Sequence, residues 1–350
     1  MDTHFSAPAL RDTLAAAARA ADAATLQRVD AQLDVWETQS AYWEALLAVA
    51  LDALGNTRGE VPFDTYVNAR RLAMIRFKNG ISKYWRARIV NRVAVTISRE
   101  AKARIRTRLL DVLHEPDRAV AVQAAVAIAR IARLDYPGEW PELVPTLQDA
   151  LVQAAAAVHA AAESRTLAHS AAPTLTLLHA ADVLRQCLKE FESVRVLAGK
   201  MRMTEMARGL LPVLQPVYEQ LFQDTFSHDV AAAWISAPGT AERVRASHLL
   251  LKVLHRLSLA DTGVVAARVD ASRPNLAYSF FLCTPPQLGA TAALRDELVR
   301  THMDAPVLAP LTKHMVAFAK FHLALVAKLH SNVATSARWN LANATICLVR

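Results

Sequence analysis

Glycine is scarce in this sequence, which contains only 9 glycines among 350 residues. Loops that cradle phosphate groups and turns that expose a catalytic serine need glycine, because other residues adopt positive φ at a cost. The sequence accordingly contains no GxGxxG, GxxxxGK[ST] or GxSxG motif. We therefore predict that the protein is not an enzyme of these kinds and needs no cofactor.

Cysteines and long apolar runs are also scarce. Cys187, Cys283 and Cys347 lie far apart and form no CxxC motif, which predicts neither a disulfide framework nor a zinc site. No apolar run reaches the roughly 18 residues that a membrane span requires. Residues 1–20 contain acidic side chains and no long apolar stretch, so we expect no secretory signal.

What remains is a sequence rich in helix-forming residues, with 53% apolar positions. Apolar residues recur at a spacing near 3.6, and the helices come in pairs of about 40 to 55 residues. This pattern predicts an all-α protein, a right-handed superhelix (alpha-alpha solenoid) of HEAT-like helical hairpins. An ordinary helical bundle is the alternative, because the pairs share little residue-level similarity.

Caps and breakers predict where several helices begin and end. The predicted helices include residues 22–37, 40–54, 98–113, 117–134, 141–153 and 308–330, with Ser40 and Ser98 as N-caps. Asn79-Gly80 is interpreted as a helix stop. Pro212 and Pro216 predict a late start or a kink in a later helix, and the longest loops are predicted at residues 224–240 and 261–287.

The net charge of +8 permits an anionic partner. Lysine and arginine are interleaved with acidic residues, however, so we interpret the charges as solvated helix faces and expect no direct nucleic-acid binding. His159, His169 and His179 recur every ten residues, which is not a metal-ligand spacing on one helix face. We predict that they are core or surface residues and that the protein holds no metal.

Three segments carry a family resemblance. They are LDVWE and YW within residues 33–43, RLAMIRFKNGI and YWR within residues 71–86, and IARIAR, DYP and EWP within residues 128–141. Together they resemble the N-terminal domain of the importin-beta (karyopherin) superfamily and the repeat after it, and are most similar to the importin-eleven branch. The resemblance predicts an importin-beta N-terminal domain at 22–113, comprising two HEAT-like repeats, and further repeats at 114–350.

The resemblance implies a nuclear transport receptor that binds Ran-GTP through the second helix of each N-terminal repeat. It also implies protein cargo on the inner surface, Phe-Gly nucleoporins between the outer helices, and a location in nucleus and cytoplasm and at the nuclear pore. The polar lines of the predicted second helices supply the Ran-binding candidates, which are Glu44, Asp52, Arg104, Arg108, Asp111, Glu142, Thr146 and Asp149. The aromatic residues Trp36, Trp43, Trp85, Tyr136 and Trp140 are predicted to be structural anchors between helices.

Two features depart from that family. Its members are usually acidic and much longer, whereas this chain is basic and ends inside an apolar run, so we expect it to be truncated at the C-terminus. The positive charge favours an alternative function, a HEAT-repeat scaffold that assembles on ribosomal or RNA-bound particles. Cargo identity, import or export direction and the role of residues 261–287 are not indicated by the sequence.

Overall fold

The computed structural model describes residues 5–52, 62–86, 88–90, 93–95, 97–164, 171–193, 197–226 and 239–260. Apart from one short β-hairpin, the elements within these ranges are helices, which confirms the predicted all-α class. In chain order they are α1 (Ala7–Arg19), α2 (Ala23–Trp36), α3 (Ser40–Ala50), α4 (Phe63–Tyr84), β1 (Arg88–Val90), β2 (Val93–Val95), α5 (Arg99–Leu109), a 3₁₀ helix (Leu110–His114), α6 (Arg118–Asp135), α7 (Leu143–Glu163), α8 (Ala171–Glu192), α9 (Leu197–Phe226) and α10 (Thr240–Ala260).

The chain divides into two compact units, Met1–Leu143 and Val144–Arg350. In the first unit α4 packs against α1, α3 and α6, and α5 packs against α3. Helices α1, α4 and α6 therefore form one layer, while α3 and α5 lie in the neighbouring layer. In the second unit α8, α9 and α10 pack against one another. Such layered helices bury their apolar faces against the next helix along the chain.

The aromatic core of the first unit is centred on Trp43, whose side chain is 1% exposed. Its ring lies 5.2 Å from Tyr42, 6.4 Å from Phe77 and 5.3 Å from Tyr84, measured between ring centroids. These contacts join α3 to α4. Each large ring removes much apolar area from water, so the cluster supplies a major part of the packing energy between the two helices.

The interpretation of Asn79-Gly80 as a helix stop is wrong, because α4 continues through both residues to Tyr84. Gly80 is needed for a different reason. A Cβ atom at this position would lie 1.9 Å from Cη2 of Trp43, so only glycine lets the indole ring pass against the backbone of α4. The glycine therefore permits a close approach of side chain to helix and does not end the helix.

Several predicted helix ends also need correction. Helix α3 ends at Ala50, short of the predicted residue 54, and its N-cap is Gln39, with Ser40 as the first helical residue. Helix α9 runs from Leu197 to Phe226 with both prolines inside it, so the predicted late start is wrong. By contrast, the N-cap of α5 is confirmed, since Ser98 Oγ accepts a hydrogen bond from the N–H of Ala101 at 3.1 Å.

Two elements were not predicted. Helix α1 begins after Ser6, whose hydroxyl accepts a bond from the N–H of Ala9 at 3.3 Å, but its alanine-rich sequence gives little periodic contrast. The hairpin of β1 and β2 pairs Arg88 with Val95 and Val90 with Val93, and strands of three residues are too short to show an alternating pattern. The predicted helix at residues 308–330 and the loop at 261–287 lie outside the described residues.

A buried ion pair ties three elements of the first unit together. Arg70 and Glu115 have side chains that are only 4% and 2% exposed, and Nη2 of the arginine lies 2.6 Å from Oε2 of the glutamate. Arg70 Nε also donates to the carbonyl of Ala50 at the end of α3, at 3.1 Å. The other carboxylate oxygen of Glu115 accepts from the N–H of Asp117, the N-cap of α6, at 2.8 Å.

A second polar junction lies at the opposite end of α4. Asp135, the last residue of α6, accepts a bond from the indole N–H of Trp85 at 3.0 Å and one from Arg106 Nη1 at 2.8 Å. Its carboxylate therefore satisfies two largely buried donors from α5 and from the C-cap of α4. The aspartate and the tryptophan both belong to the segments that carry the family resemblance, and their buried polar groups satisfy each other.

We predict that Gly80→Ala destabilises the protein by about 1–3 kcal/mol, because the overpacking outweighs the gain of roughly 1 kcal/mol in helix propensity. The matched control is Gly209→Ala in α9, where an added Cβ has no atom within 4 Å. That variant should gain about 0.5–1 kcal/mol. Urea unfolding followed by circular dichroism measures both changes. A Gly80→Ala protein as stable as the parent would contradict the proposed close approach.

We predict that Glu115→Leu lowers the free energy of unfolding by about 3–5 kcal/mol, because it leaves the Arg70 guanidinium buried without a counter-charge. The double variant Arg70→Met with Glu115→Leu should lose less than the single variant. Arg71→Met is the control, since this arginine is 45% exposed and its pair with Asp117 is worth at most about 1 kcal/mol. Equal losses in the single and double variants would show that the buried pair is not coupled.

Candidate functional site

A groove runs between α3 and α5 in the first unit, with a cavity volume of about 850 Å³. Small side chains create it, because Ala41, Ala45 and Ala48 fall on one face of α3 and Ala103 faces them from α5. Leu47 and Ile105, each 1% exposed, form part of the apolar floor. The groove is therefore lined by short apolar residues along its length and by charged residues at its rim.

One pair of rim charges crosses the groove. Arg104 donates from Nε to Glu44 Oε2 at 2.9 Å and from Nη2 to Oε1 at 2.7 Å, which is a bidentate ion pair between α5 and α3. These hydrogen bonds raise the pKa of Arg104, and the charge of the carboxylate adds to the effect. Because the arginine side chain is 62% exposed, the pair is accessible to a competing partner.

Two further rim charges, Arg108 and Asp111, differ from this pair. Arg108 lies one turn beyond Arg104, and Asp111 lies in the 3₁₀ helix that extends α5. Both are exposed, and neither forms an ion pair with another described residue. Within the described part of the chain, the groove therefore presents a cation and an anion without ion-pair partners, beside the Glu44–Arg104 ion pair.

The N-terminal segment contributes to the lining of the groove. Phe5 lines it, and its ring makes edge-to-face contacts with Trp36 at 5.8 Å and with Tyr42 at 5.9 Å. Thr107 also lines the groove, and its hydroxyl donates to the carbonyl of Ala103. Sequence reasoning missed both residues. Thr107 lies three residues after Arg104 on the same face of α5. That spacing is the sequence signal that would have identified it as a groove residue.

Four of the eight Ran-binding candidates, namely Glu44, Arg104, Arg108 and Asp111, line this groove, and the other four do not. Asp52 lies beyond the end of α3, where its carbonyl accepts from Tyr66 and its carboxylate is 3.9 Å from Arg11. Glu142 is exposed and lies one residue before α7, so the helix predicted from residue 141 begins two residues later than expected and does not include it. Thr146 and Asp149 are on α7, within the second unit.

The predicted aromatic anchors are placed inside the first unit. Trp36, Trp43, Trp85 and Trp140 are each no more than 2% exposed, and Tyr136, the C-cap of α6, is half-buried. Tyr136 and Trp140 lie in the connection between α6 and α7, where the carbonyl of Asp135 accepts from the N–H groups of Glu139 and Trp140. None of these five residues lines the groove.

Comparison with known proteins assigns the region that contains the groove. The family model of the importin-beta N-terminal domain matches residues 29–115, which include all the charged rim residues. Importin-11 of Homo sapiens is 39% identical over 127 residues, 36% of this chain and 12% of importin-11. Importin beta-like protein KAP120 of Saccharomyces cerevisiae is 30% identical over 227 residues, 65% of this chain and 19% of that protein.

Solved structures support the same fold. The S. cerevisiae protein Lph2, a bidirectional nuclear transport receptor, aligns with a TM-score of 0.56 at 24% identity, covering 84% of this chain and 25% of Lph2. The exportin Cse1 in its cargo-free, cytoplasmic state aligns with a TM-score of 0.54 at 14% identity, covering 95% of this chain and 37% of Cse1. At these identities the likeness concerns the fold.

Layered helical hairpins with a rimmed groove define a helical-repeat protein of the solenoid class. Residues 29–115 match the importin-beta N-terminal domain, and the aligned part of the chain is similar to importin-11 and KAP120. Both the resemblance and the solenoid fold predicted from the sequence are confirmed. The aligned part spans about an eighth of importin-11 and a fifth of KAP120.

Among the described residues, no group of His, Cys, Asp and Glu side chains is arranged to hold a metal ion. In the same part of the chain, no helix has the length and apolarity of a membrane span. Cys187 is fully buried, and desolvation raises the pKa of its thiol far above its usual value. His179 is buried in α8, while His169 lies outside the described residues.

The second unit contains one histidine between carboxylates. His159 of α7 places Nδ1 3.0 Å from Asp224 of α9 and Nε2 3.3 Å from Glu163. Gln220 Nε2 donates to the same oxygen of Asp224 at 3.0 Å. Only the protonated ring donates to both acids at once, and the hydrogen bond with Asp224 raises the pKa of His159 above its ordinary value of 6.5.

We predict a pH-dependent contribution of His159 to stability. Because its pKa is raised in the folded state, the stabilisation is complete below about pH 6.5 and is lost as pH rises through the folded-state pKa. His159→Gln should therefore be less stable than the parent in mildly acidic buffer and equally stable in alkaline buffer. Urea unfolding across that pH range measures the difference. A difference that does not change with pH would contradict the ion pair.

Proposed function

We propose that the chain contains the Ran-GTP-binding end of a nuclear transport receptor, and that the groove between α3 and α5 is part of that surface. The observation that carries the proposal is the convergence of Glu44, Arg104, Arg108 and Asp111 on one groove inside the matched N-terminal domain. The four residues come from two helices that the resemblance assigns to partner binding. Their charges are suited to a partner surface of mixed sign.

The groove offers two kinds of contact to Ran. Arg108 and Asp111 are exposed and form no ion pair with another described residue, so a partner can bind them without breaking such a pair. The Glu44–Arg104 ion pair joins α3 to α5. A partner that contacts this pair, or that replaces one of its two members, interacts with both helices at once. Electrostatic complementarity of this kind contributes mainly to specificity and association rate.

The remaining functions of the receptor are part of the same proposal. Protein cargo and Phe-Gly nucleoporins would bind elsewhere on the solenoid, and the receptor would move between cytoplasm and nucleus through the pore. Transport then follows from linkage, because Ran-GTP and import cargo exclude one another and the nuclear Ran-GTP level drives release. Asp52, Glu142, Thr146 and Asp149 remain Ran-binding candidates outside the groove.

The test is binding of the complete 350-residue chain to Ran loaded with GTP or with GDP. We expect retention of the GTP form only, and we expect Arg108→Glu to weaken it about tenfold because it reverses an exposed rim charge. The control is Arg118→Glu, an equally exposed arginine at the start of α6 that is not part of the groove. Circular dichroism confirms that each variant is folded.

Two outcomes would contradict the proposal. If the folded chain retains neither form of Ran, or retains both equally, the receptor assignment fails for this part of the chain. If Arg108→Glu and Arg118→Glu weaken binding equally, Ran binds but the groove is not its site. Binding to RNA in the absence of Ran binding would favour the alternative, a scaffold on RNA-bound particles, which the net charge of +8 suits.

A further inference from the structure

Two cations lie at the contact between α4 and α6 in the first unit. Lys78 of α4 donates from Nζ to the side-chain oxygen of Gln123 at 2.8 Å. Arg130, two turns further along α6, donates from Nη1 to the backbone carbonyl of Lys78 at 2.9 Å. We refer to Lys78, Gln123 and Arg130 as the α4–α6 site. It lies in the layer of α1, α4 and α6, whereas the groove lies between α3 and α5.

Neither cation of the α4–α6 site has a counter-charge among the described residues. The groups that bond them, a glutamine side chain and a backbone carbonyl, are both neutral. Lys78 and Arg130 are half-buried, so water compensates their charges only in part. Desolvation lowers the pKa of Lys78, and the nearby positive charge of Arg130 lowers it further. An anion placed beside the two cations therefore removes an electrostatic cost.

The acids at the two ends of α6 are already used by the fold. Asp117 caps the helix and pairs with Arg71 at 2.9 Å. Asp135 accepts two hydrogen bonds from other elements. Between these two acids, residues 118–134 contain no aspartate or glutamate, and residues 65–84 of α4 contain none either. Neither helix can therefore supply the missing counter-charge itself.

Both cations keep donors for a partner. A guanidinium has five N–H donors and a lysine ammonium has three. Within the described part of the chain, Arg130 and Lys78 each use one of them. The remaining donors can bind carboxylate oxygens while the bonds to the fold stay in place, and such charge-assisted hydrogen bonds are stronger than those between neutral groups.

The surface around the α4–α6 site also contains apolar side chains. Ile75 lies one turn before Lys78 on α4 and is 38% exposed. Val126 is half-buried and lies one turn before Arg130 on α6. Arg133, one turn beyond Arg130, is exposed and adds a further positive charge. The surface therefore combines cations with exposed aliphatic area.

We propose that the α4–α6 site binds an acidic peptide segment of a partner protein. Carboxylates of the segment accept from Lys78 and Arg130, and its apolar side chains contact Ile75 and Val126. Nucleic acid would supply anions too, but sites for single strands stack the bases on exposed aromatic side chains. Phe77, next to Lys78, is fully buried. The proposal does not depend on Ran binding.

The experiment measures fluorescence anisotropy of a labelled octapeptide with blocked termini, Gly-Glu-Glu-Leu-Glu-Glu-Leu-Gly, mixed with the complete chain. We expect binding that weakens as salt rises, and a loss of about tenfold in Lys78→Gln with Arg130→Gln. The matched control is Lys189→Gln with Arg208→Gln, which removes the same two charges from exposed residues of α8 and α9. The control should change the affinity less than about twofold.

Single substitutions decide the question if the double variant does not fold. Lys78→Gln alone should weaken binding about threefold, and Lys78→Arg should keep most of the affinity because it keeps the charge. Ile75→Ser should weaken binding of the octapeptide about twofold. It should leave unchanged the binding of a peptide in which glycine replaces both leucines, because that peptide has no apolar side chain to lose.

Three outcomes would overturn the proposal. The first is that the folded chain does not bind the octapeptide. The second is that the α4–α6 and control variants lose affinity equally, which would assign the binding to net charge alone. The third is tighter binding of an oligothymidylate of equal charge, which would assign the surface to nucleic acid.

Discussion

The buried ion pair between Arg70 and Glu115 is the constraint on which the first unit depends. Apolar packing alone tolerates small shifts of one helix along another, whereas a buried charge must keep its partner. Arg70 also bonds the last turn of α3, and Glu115 bonds the cap of α6, so the pair fixes three elements relative to α4. Since Glu115 directly follows the 3₁₀ helix that extends α5, the width of the groove depends on the same contact.

Helix α5 carries charges of two kinds. Its exposed face carries Arg104 and Arg108 towards the groove. Arg106 pairs with Asp135 inside the fold, whereas Arg108 forms no ion pair with another described residue. The net positive charge does not distinguish these two kinds of charge, whereas the ion pairs seen in the structure do.

Much of the helical framework was predictable because it depends on local chemistry. The helix starts predicted at residues 22, 98 and 117 coincide with the caps Asp22, Ser98 and Asp117. The segments around Trp43, Trp85 and Trp140 carried the family resemblance. The errors have non-local causes. Gly80 indicates a stop by its intrinsic preference, but the contact that requires it comes from α3. The positions of polar residues along the predicted helices identified four rim residues of the groove. Asp52 was wrongly placed on α3, because this helix ends at Ala50 and not at the predicted residue 54. Arg70 was missed entirely, since nothing local marks an arginine as buried.

The contact between Gly80 and Trp43 also limits how these two helices can change over generations. Enlarging position 80 by one methyl group requires a smaller side chain at position 43, and a smaller ring at 43 leaves a space that only a larger residue at 80 would fill. Each single step passes through a less stable protein. The two positions are therefore inherited as a pair, and descendants of this chain are expected to keep both residues or to replace both.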